Sequence, residues 1–410
     1  MKRKKLKAKL PLSLLIACLV TSTANALSPN IDLDKSGENT DLSLTEEIGY
    51  AGIIKLDPNH KLTIESNGNG IYSGWNKDAK FDIIADDIEI ITHSGNGIYM
   101  SLENEGNGIL TIGEEAETGR KINNLTINSH GQGIDNKNGS VTIYGSDESK
   151  ISIHSDGYKG DYNEDQSAVN TGRLKDEYYP AKTGSTFIEG GTIELSSDGG
   201  SGTLTRTDKS STTIIAHDSI SISSNHLHPE NSDPDSGIYV YKTIENAGIN
   251  NIAGTTTVKA ENDISITSSQ YGILAQSGTV NVKSNAGSNI IRAFTAITPE
   301  GDSAAAEETA EEEAAEKRDA VAVYAKDNAV INLTAGTDGV NYIATEIAKK
   351  DSTANERTIW AQRGGKINIK GQTFIIASNA NTYTEDAIEG EEQVNKFLTP
   401  EKMTRARSLV

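Results

Sequence analysis

The chain has one cysteine, Cys18, in 410 residues, so disulfides cannot hold it together. It is also short of proline (8), methionine (3), tryptophan (2) and aromatic side chains in general (5%). A thick globular core of this length draws on more Phe, Trp and Met than that. A narrow core of stacked Ile, Val, Leu and Ala does not, because each layer contributes only a few inward side chains. Positive charge is in deficit as well. Lys and Arg number 38 against 58 Asp and Glu, a formal net charge of −20. That balance argues against nucleic acid and anionic membrane surfaces as partners and suits solubility outside the cell. No apolar run after the first twenty or so residues is long enough for a membrane-spanning helix.

The N-terminus reads as a targeting segment. Lys2, Arg3, Lys4, Lys5, Lys7 and Lys9 precede the short apolar run Leu10 to Val20, and Ala24-Asn25-Ala26 supplies a small-x-small cleavage pattern. Residues 1–26 are therefore expected to be a signal peptide cut between Ala26 and Leu27. Removing those 6 basic residues leaves 32 − 58 = −26. A rival is lipoprotein processing at Leu15-Ile16-Ala17-Cys18, with Cys18 acylated.

What is present is repetition. Ile273-Leu274-Ala275-Gln276-Ser277-Gly278-Thr279-Val280-Asn281-Val282 is echoed from Ile134 to Ile143, from Val323 to Leu333 and from Ile359 to Ile369. Each copy is a short strand, a polar turn usually holding Gly, and a strand of strict alternation, so that Val280 and Val282 share a face and Asn281 points away. A second phrase precedes it: Ile-x-Ile, then Ser, then Gly-x-Gly-Ile-Tyr. It runs from Leu62 to Tyr72, from Ile88 to Tyr99 and, less closely, from Ile264 to Leu274. Three strands per unit of roughly 25 to 35 residues mark a solenoid. Strands without alternating helices argue against doubly wound and TIM folds, and a sandwich would not repeat at this period. The expected fold is all-β: a right-handed parallel β-helix of about nine rungs with polar loop insertions, on the order of 40 Å long at ~4.8 Å per rung.

The pattern divides the mature chain into an N-terminal cap (27–57), the helix (58–379), and a linker or truncated segment (380–410). Ser155 to Ser185 interrupts it as a long loop or irregular rung holding the weak strand Ala168–Asn170. Ser224 to Ser236, with Pro229 and Pro234, is a second excursion. Strand resumes at Gly237–Tyr241. Ala304 to Arg318 is a run of Ala and Glu expected to form an exposed acidic helix or a loop.

On the Gly-Ile-Tyr phrase followed by Gly-Thr-Val-Asn-Val, the chain from about Leu56 to Gly371, together with the signal, resembles the passenger domain of a bacterial autotransporter (type V secretion), of the pertactin-like and haemagglutinin-like kind. That resemblance implies export and display by a C-terminal outer-membrane barrel. Nothing after Asn379 supplies the alternating strands of such a barrel, so the expected barrel belongs to sequence absent here or to another protein.

Candidate chemistry is sparse. Glycoside hydrolysis needs two carboxyls over one cleft, and Asp86-Asp87 is the only adjacent Asp pair. Neighbours in a strand point to opposite faces, so a turn is the expected role. Asp198-Gly199-Gly200-Ser201-Gly202 has the wrong order for a serine-nucleophile motif and reads as a turn. Asp161-Tyr162-Asn163-Glu164-Asp165 opens like a calcium loop, yet Gln166 and Gly172 stand where Gly and Glu are required. His226, His228 and Glu230 sit in the Pro-containing excursion. Neither a cofactor nor a metal is expected.

Tyr72, Tyr99, Tyr239, Tyr324 and Trp360 each follow the inward aliphatic of their copy. They are expected outward, as an interrupted aromatic column that either covers neighbouring strands or contacts a ligand. The expected function is a non-enzymatic, exported adhesin-like rod at the cell surface, outer membrane or outside the cell. It would bind a host-cell, matrix or bacterial surface ligand, protein or glycan, with no nucleic acid. A carbohydrate-active β-helix enzyme and an inert spacer are the alternatives.

Overall fold

The structure is a computed structural model. It describes residues 30–32, 41–45, 47–49, 52–73, 80–101, 108–115, 119–156, 166–175, 180–225, 247–294, 320–346, 358–377 and 388–389. These form strands throughout, from β1 (Asn30–Asp32) to β32 (Ile388–Glu389), and no helix. The chain visits three sheets in strict rotation. β4 (Gly52–Lys55) lies in the first, β5 (Lys61–Ser66) in the second and β6 (Ile71–Tyr72) in the third, and the next turn of chain returns to the first. Each strand pairs in parallel with its counterparts one turn before and one turn after, the end turns on one side only. Val280, for example, lies between Thr256 and Ile331. The result is a parallel β-helix. One long strand, β13 (Gly139–Ser155), passes through the first and second sheets without a break and joins them.

The third sheet has 11 strands, so the described chain makes eleven turns, about 50 Å of rod at the usual strand spacing. That exceeds the nine or so read from the repeats. The weakly patterned ends add the difference. Leu42–Leu44 and Ile48–Gly49 pair with the following turn, and Ile388–Glu389 pairs with Ile359–Trp360. The interruption after Ser155 is also a turn of helix, since Val169–Thr171 pairs with both Ile134–Asn136 and Thr203–Thr205. Gly237–Tyr241 and Ala304 to Arg318 lie outside the described residues. The third-sheet strand of that seventh turn is Ala247–Asn251.

In-register stacking turns each motif position into a column. The two apolar positions of Ile-x-Ile become the second sheet's inner columns, such as Leu62, Ile88, Leu125 and Ile151, all buried. Burial of each such side chain contributes about 1.5–3 kcal/mol. The Ser that follows becomes a column at the corner into the third sheet, where hydroxyls bind turn backbone. Ser155 Oγ donates to the Gly131 and Gln166 carbonyls at 2.6 and 2.9 Å, and Ser197 Oγ donates to Gln166 at 2.6 Å. The Gly before Ile-Tyr meets a steric limit. A Cβ on Gly97 would lie 2.3 Å from Ile127 Cγ2 and 2.6 Å from the Gly133 carbonyl oxygen. Ala168 and Ala322 occupy this column in other turns, so the chain gives way for a methyl group there.

Polar side chains interrupt the aliphatic core in the middle of the rod. Thr186, Thr212 and Thr256 take the first sheet's inner column, facing Asn136, Thr171 and Thr205 of the third. They form one buried chain of hydrogen bonds. Asn136 Nδ2 donates to Thr186 Oγ1 at 3.2 Å, and Thr171 Oγ1 donates to the same atom at 2.8 Å. Thr212 Oγ1 donates to Thr171 Oγ1 at 2.9 Å, and Thr205 lies 2.8 Å from both Thr212 and Thr256.

Two predictions follow from these columns. Val280→Asp places an uncompensated carboxylate in a fully buried position and should cost several kcal/mol, about 3–5. Asn281→Asp, at a partly exposed outward position, should cost about 1 kcal/mol or less. Equal losses in equilibrium unfolding would overturn the register. Thr212→Val removes the link between two hydroxyls and should cost about 1–3 kcal/mol. Thr256→Val, at the end of the chain, should cost less in the same measurement.

Candidate functional site

The outward position after the inner aliphatic of the third sheet forms a single column. In register it reads Tyr72, Tyr99, Asp135, Asn170, Leu204, Asn250, Leu274, Tyr324 and Trp360. Four of the five aromatic residues expected there take their places in it. Tyr239 lies outside the described residues, and Asn250 holds the position of its turn.

The aromatics form two separate stacks. Tyr72 and Tyr99 are 5.5 Å apart with ring planes 2° from parallel, and Lys137 Nζ lies 5.1 Å from the Tyr99 ring. Farther along, Tyr324 and Trp360 stack at 4.3 Å and 6°, with Tyr271 tilted against Tyr324 at 6.0 Å. Adjacent strands hold equivalent side chains about 4.8 Å apart, so flat rings at neighbouring turns stack with little reorganisation. The second stack packs on Ala247, Leu274 and Val321, an apolar cluster outside the main core. Tyr324 Oη donates to Gln362 Oε1 at 2.6 Å, and Lys326 Nζ lies 5.7 Å from the Tyr324 ring. Tyr324 is buried, whereas Tyr72, Tyr99 and Trp360 are half-buried.

Between the stacks the column holds Asp135, Asn170, Leu204 and Asn250, mostly polar yet buried although it points outward. Asp135 is 0% exposed. Its carboxylate accepts from Asn170 Nδ2 at 2.7 Å and lies 3.5 Å from Lys137 Nζ, and Arg206 Nε donates to Asn170 Oδ1 at 2.9 Å. The signal for this network was the replacement of the usual Tyr by Asp135 and Asn170 in two successive turns. Pattern reading alone passes over it, because both residues are ordinary outward polar choices. Near the first stack, Glu47 Oε2 accepts from Asn69 N and Nδ2 at 3.1 and 3.2 Å, while burial pushes its pKa above the usual carboxylate value.

The remaining candidates have structural roles where they are described. Asp86 is clamped: Arg120 Nε donates to its Oδ1 at 2.7 Å and the Asn59 amide to its Oδ2 at 2.5 Å. Arg120 also donates to the carbonyls of Leu56 and Asp57, tying three segments together. Asp87 faces outward and accepts from Asn124 Nδ2 at 2.6 Å, so the pair does not address one cleft. Ser201 is buried in the turn between Thr192–Ser197 and Thr203–Thr205, where its Oγ accepts from the Ala247 amide at 3.3 Å. Asp161 to Asp165, His226, His228, Glu230, Cys18, Ala26 and Leu27 lie outside the described residues. Among those described, no group of three or more His, Cys, Asp or Glu is placed to hold a metal, and no helix is long and apolar enough to cross a membrane.

Comparisons with protein-family models, curated proteins and solved structures return no match.

Removing the Asp86 carboxylate leaves the Arg120 guanidinium, only 20% exposed, without its partner. Asp86→Ala should therefore lower unfolding stability by about 2–4 kcal/mol. Asp87→Ala should change it by no more than about 0.5 kcal/mol.

Proposed function

We propose that the chain is the rod of an exported, non-enzymatic adhesin-like passenger, which attaches to a protein or glycan on a host, matrix or bacterial surface. The observation that carries this reading is where successive described strands lie farthest apart in sequence. The longest stretches of sequence between consecutive described strands are 156–168, 172–183, 225–246, 295–320 and 347–358, and each adjoins a third-sheet strand. Corners between the first and second sheets reach nine residues at 33–41 and 113–121 and shrink to the single residues Gly191 and Gly371, and to none within Gly139–Ser155. Insertions between the repeats of a rigid scaffold are where recognition commonly resides in repeat architectures. They border the sheet that carries both aromatic stacks, so loops and rings would present one face to a partner. An enzymatic reading needs two carboxyls on one groove, whereas Asp86, in the turn before Asp87–Thr92, is clamped by Arg120 and Asn59, and Asp87 faces outward and is bound to Asn124.

The test is adhesion of cells displaying the protein. Replacing 157–165 and 226–246 by short Gly-Ser turns, while keeping strands Val169–Thr171 and Ala247–Asn251, should leave β-sheet circular dichroism and the unfolding midpoint nearly unchanged and abolish adhesion. Adhesion that survives both replacements but is lost on changing Tyr72 and Tyr99 to Ser would move the contact to the aromatic stack. Adhesion unaffected by either set would sink the proposal.

A further inference from the structure

The first sheet carries, toward its C-terminal end, a surface opposite in charge to the molecule as a whole. Four successive strands form it: Thr255–Ala260, Thr279–Ser284, Val330–Thr334 and Lys366–Lys370. Alternation sends their aliphatics inward and leaves Thr, Asn, Val330 and Lys outward, with no Asp or Glu at an outward position.

Lys259 lies directly opposite Lys283, and Lys283 is followed in register by Thr334 and Lys370. Lys366 stands at the other edge of the last strand, opposite Val330. Like charges directly opposed across strands are destabilising, and none of these four lysines has an ion-pair partner among the described residues. At the adjoining corners Glu261 accepts from Asn285 Nδ2 at 2.8 Å and Asp327 lies 3.5 Å from Arg363, while Asp338 is exposed. Among the described residues the lysine row therefore has no ion-pair partner, in a chain whose net charge is −20.

Beside the edge of Lys259, Lys283 and Lys370, with Lys366 alone across from it, runs a rail of amides. Asn332 Nδ2 donates to Asn281 Oδ1 at 2.8 Å, and Asn368 Nδ2 donates to Asn332 Oδ1 at 2.8 Å. The mutual bonds fix the orientation of the amides, and Asn281 and Asn332 retain capacity for a further hydrogen bond.

From this arrangement we infer that the lysine-edged amide rail binds a linear anionic polysaccharide lying along the rod. Charge complementarity supplies the attraction. At physiological ionic strength fields reach only about 8 Å, so an approaching chain senses the local lysines more than the distant acidic excess. Spacing supplies the fit. Successive turns lie about 4.8 Å apart, close to the rise of one sugar in an extended 1→4-linked polymer, so anionic groups along such a chain can meet Lys259, Lys283 and, one turn past Thr334, Lys370. The amides then meet sugar hydroxyls. This surface lies on a different sheet from the aromatic stacks and the connections that border them, and its test stands or falls independently of the adhesion experiment.

The experiment titrates the full-length protein with heparin (sulfated) and alginate (carboxylated), with neutral dextran and duplex DNA as comparisons, at low and at physiological ionic strength. The substituted protein carries Lys259→Gln, Lys283→Gln, Lys366→Gln and Lys370→Gln. A control carries Lys150→Gln, Lys175→Gln, Lys182→Gln and Lys209→Gln, and circular dichroism verifies that both fold. The expected result is salt-sensitive binding of at least one acidic polysaccharide and none of dextran. The fourfold rail variant should weaken it by about tenfold or more, while the control remains within about twofold of wild type. Heparin or alginate binding alone identifies the anion as sulfate or carboxylate. Absence of binding to either, equal weakening by both variants, or equally tight binding of DNA with the same lysine dependence would overturn the inference.

Discussion

Parallel strands stacked in register place each residue directly against its counterpart in the turns above and below. Everything else in this molecule follows from that constraint. A side chain acceptable at one turn must be acceptable against its own kind, which selects aliphatics inside, where Ile88, Leu125 and Ile151 stack. It equally permits ladders of hydroxyls and amides, which bond to one another as readily as to unlike partners. The Ser column at the corner, the buried Thr chain and the outward Asn281–Asn332–Asn368 rail are three results of one rule.

The same rule explains how much was legible in the sequence. Period-2 alternation gave the inward register of Val280 and Val282, and the repeat length gave three strands per turn, because both are properties of short windows. The outward aromatic column was legible for the same reason at Tyr72, Tyr99, Tyr324 and Trp360. The turn count was not, since Leu42–Leu44, Ile48–Gly49 and Ile388–Glu389 are too short to show a period and are strands only because a neighbouring turn pairs with them. Nor was the buried Thr chain. Thr186, Thr212 and Thr256 lie in turns separated by many residues, and only superposition of those turns shows that polar side chains share an interior column with Val141 and Val280.

Burial outside the core was the other hidden feature. Asp135 and Asn170 occupy an outward column, where alternation assigns solvent exposure, yet both are closed off and held by Lys137 and Arg206. Periodicity reports which side of a strand a residue takes and is silent on what covers that side. Asp86 shows the converse. As half of an acidic pair it has the composition of a catalytic motif, and only its contacts with Arg120 and Asn59 reveal a clamp across distant segments.

The unequal corners have a physical basis too. First- and second-sheet strands commonly run five or six residues, as in Thr279–Ser284 and Ile264–Ser268, whereas third-sheet strands are as short as Ile48–Gly49 and Ile71–Tyr72. A short strand contributes few ladder bonds, so its ends tolerate displacement. Lengthening a connection costs only about 0.6 kcal/mol per doubling. Insertions at the third sheet's borders therefore leave the aliphatic columns of the other two sheets intact. The helix thereby separates its tasks by face. Two sheets keep the register that stabilises the rod, and the third, with its short strands, is where chain can be added without disturbing that register.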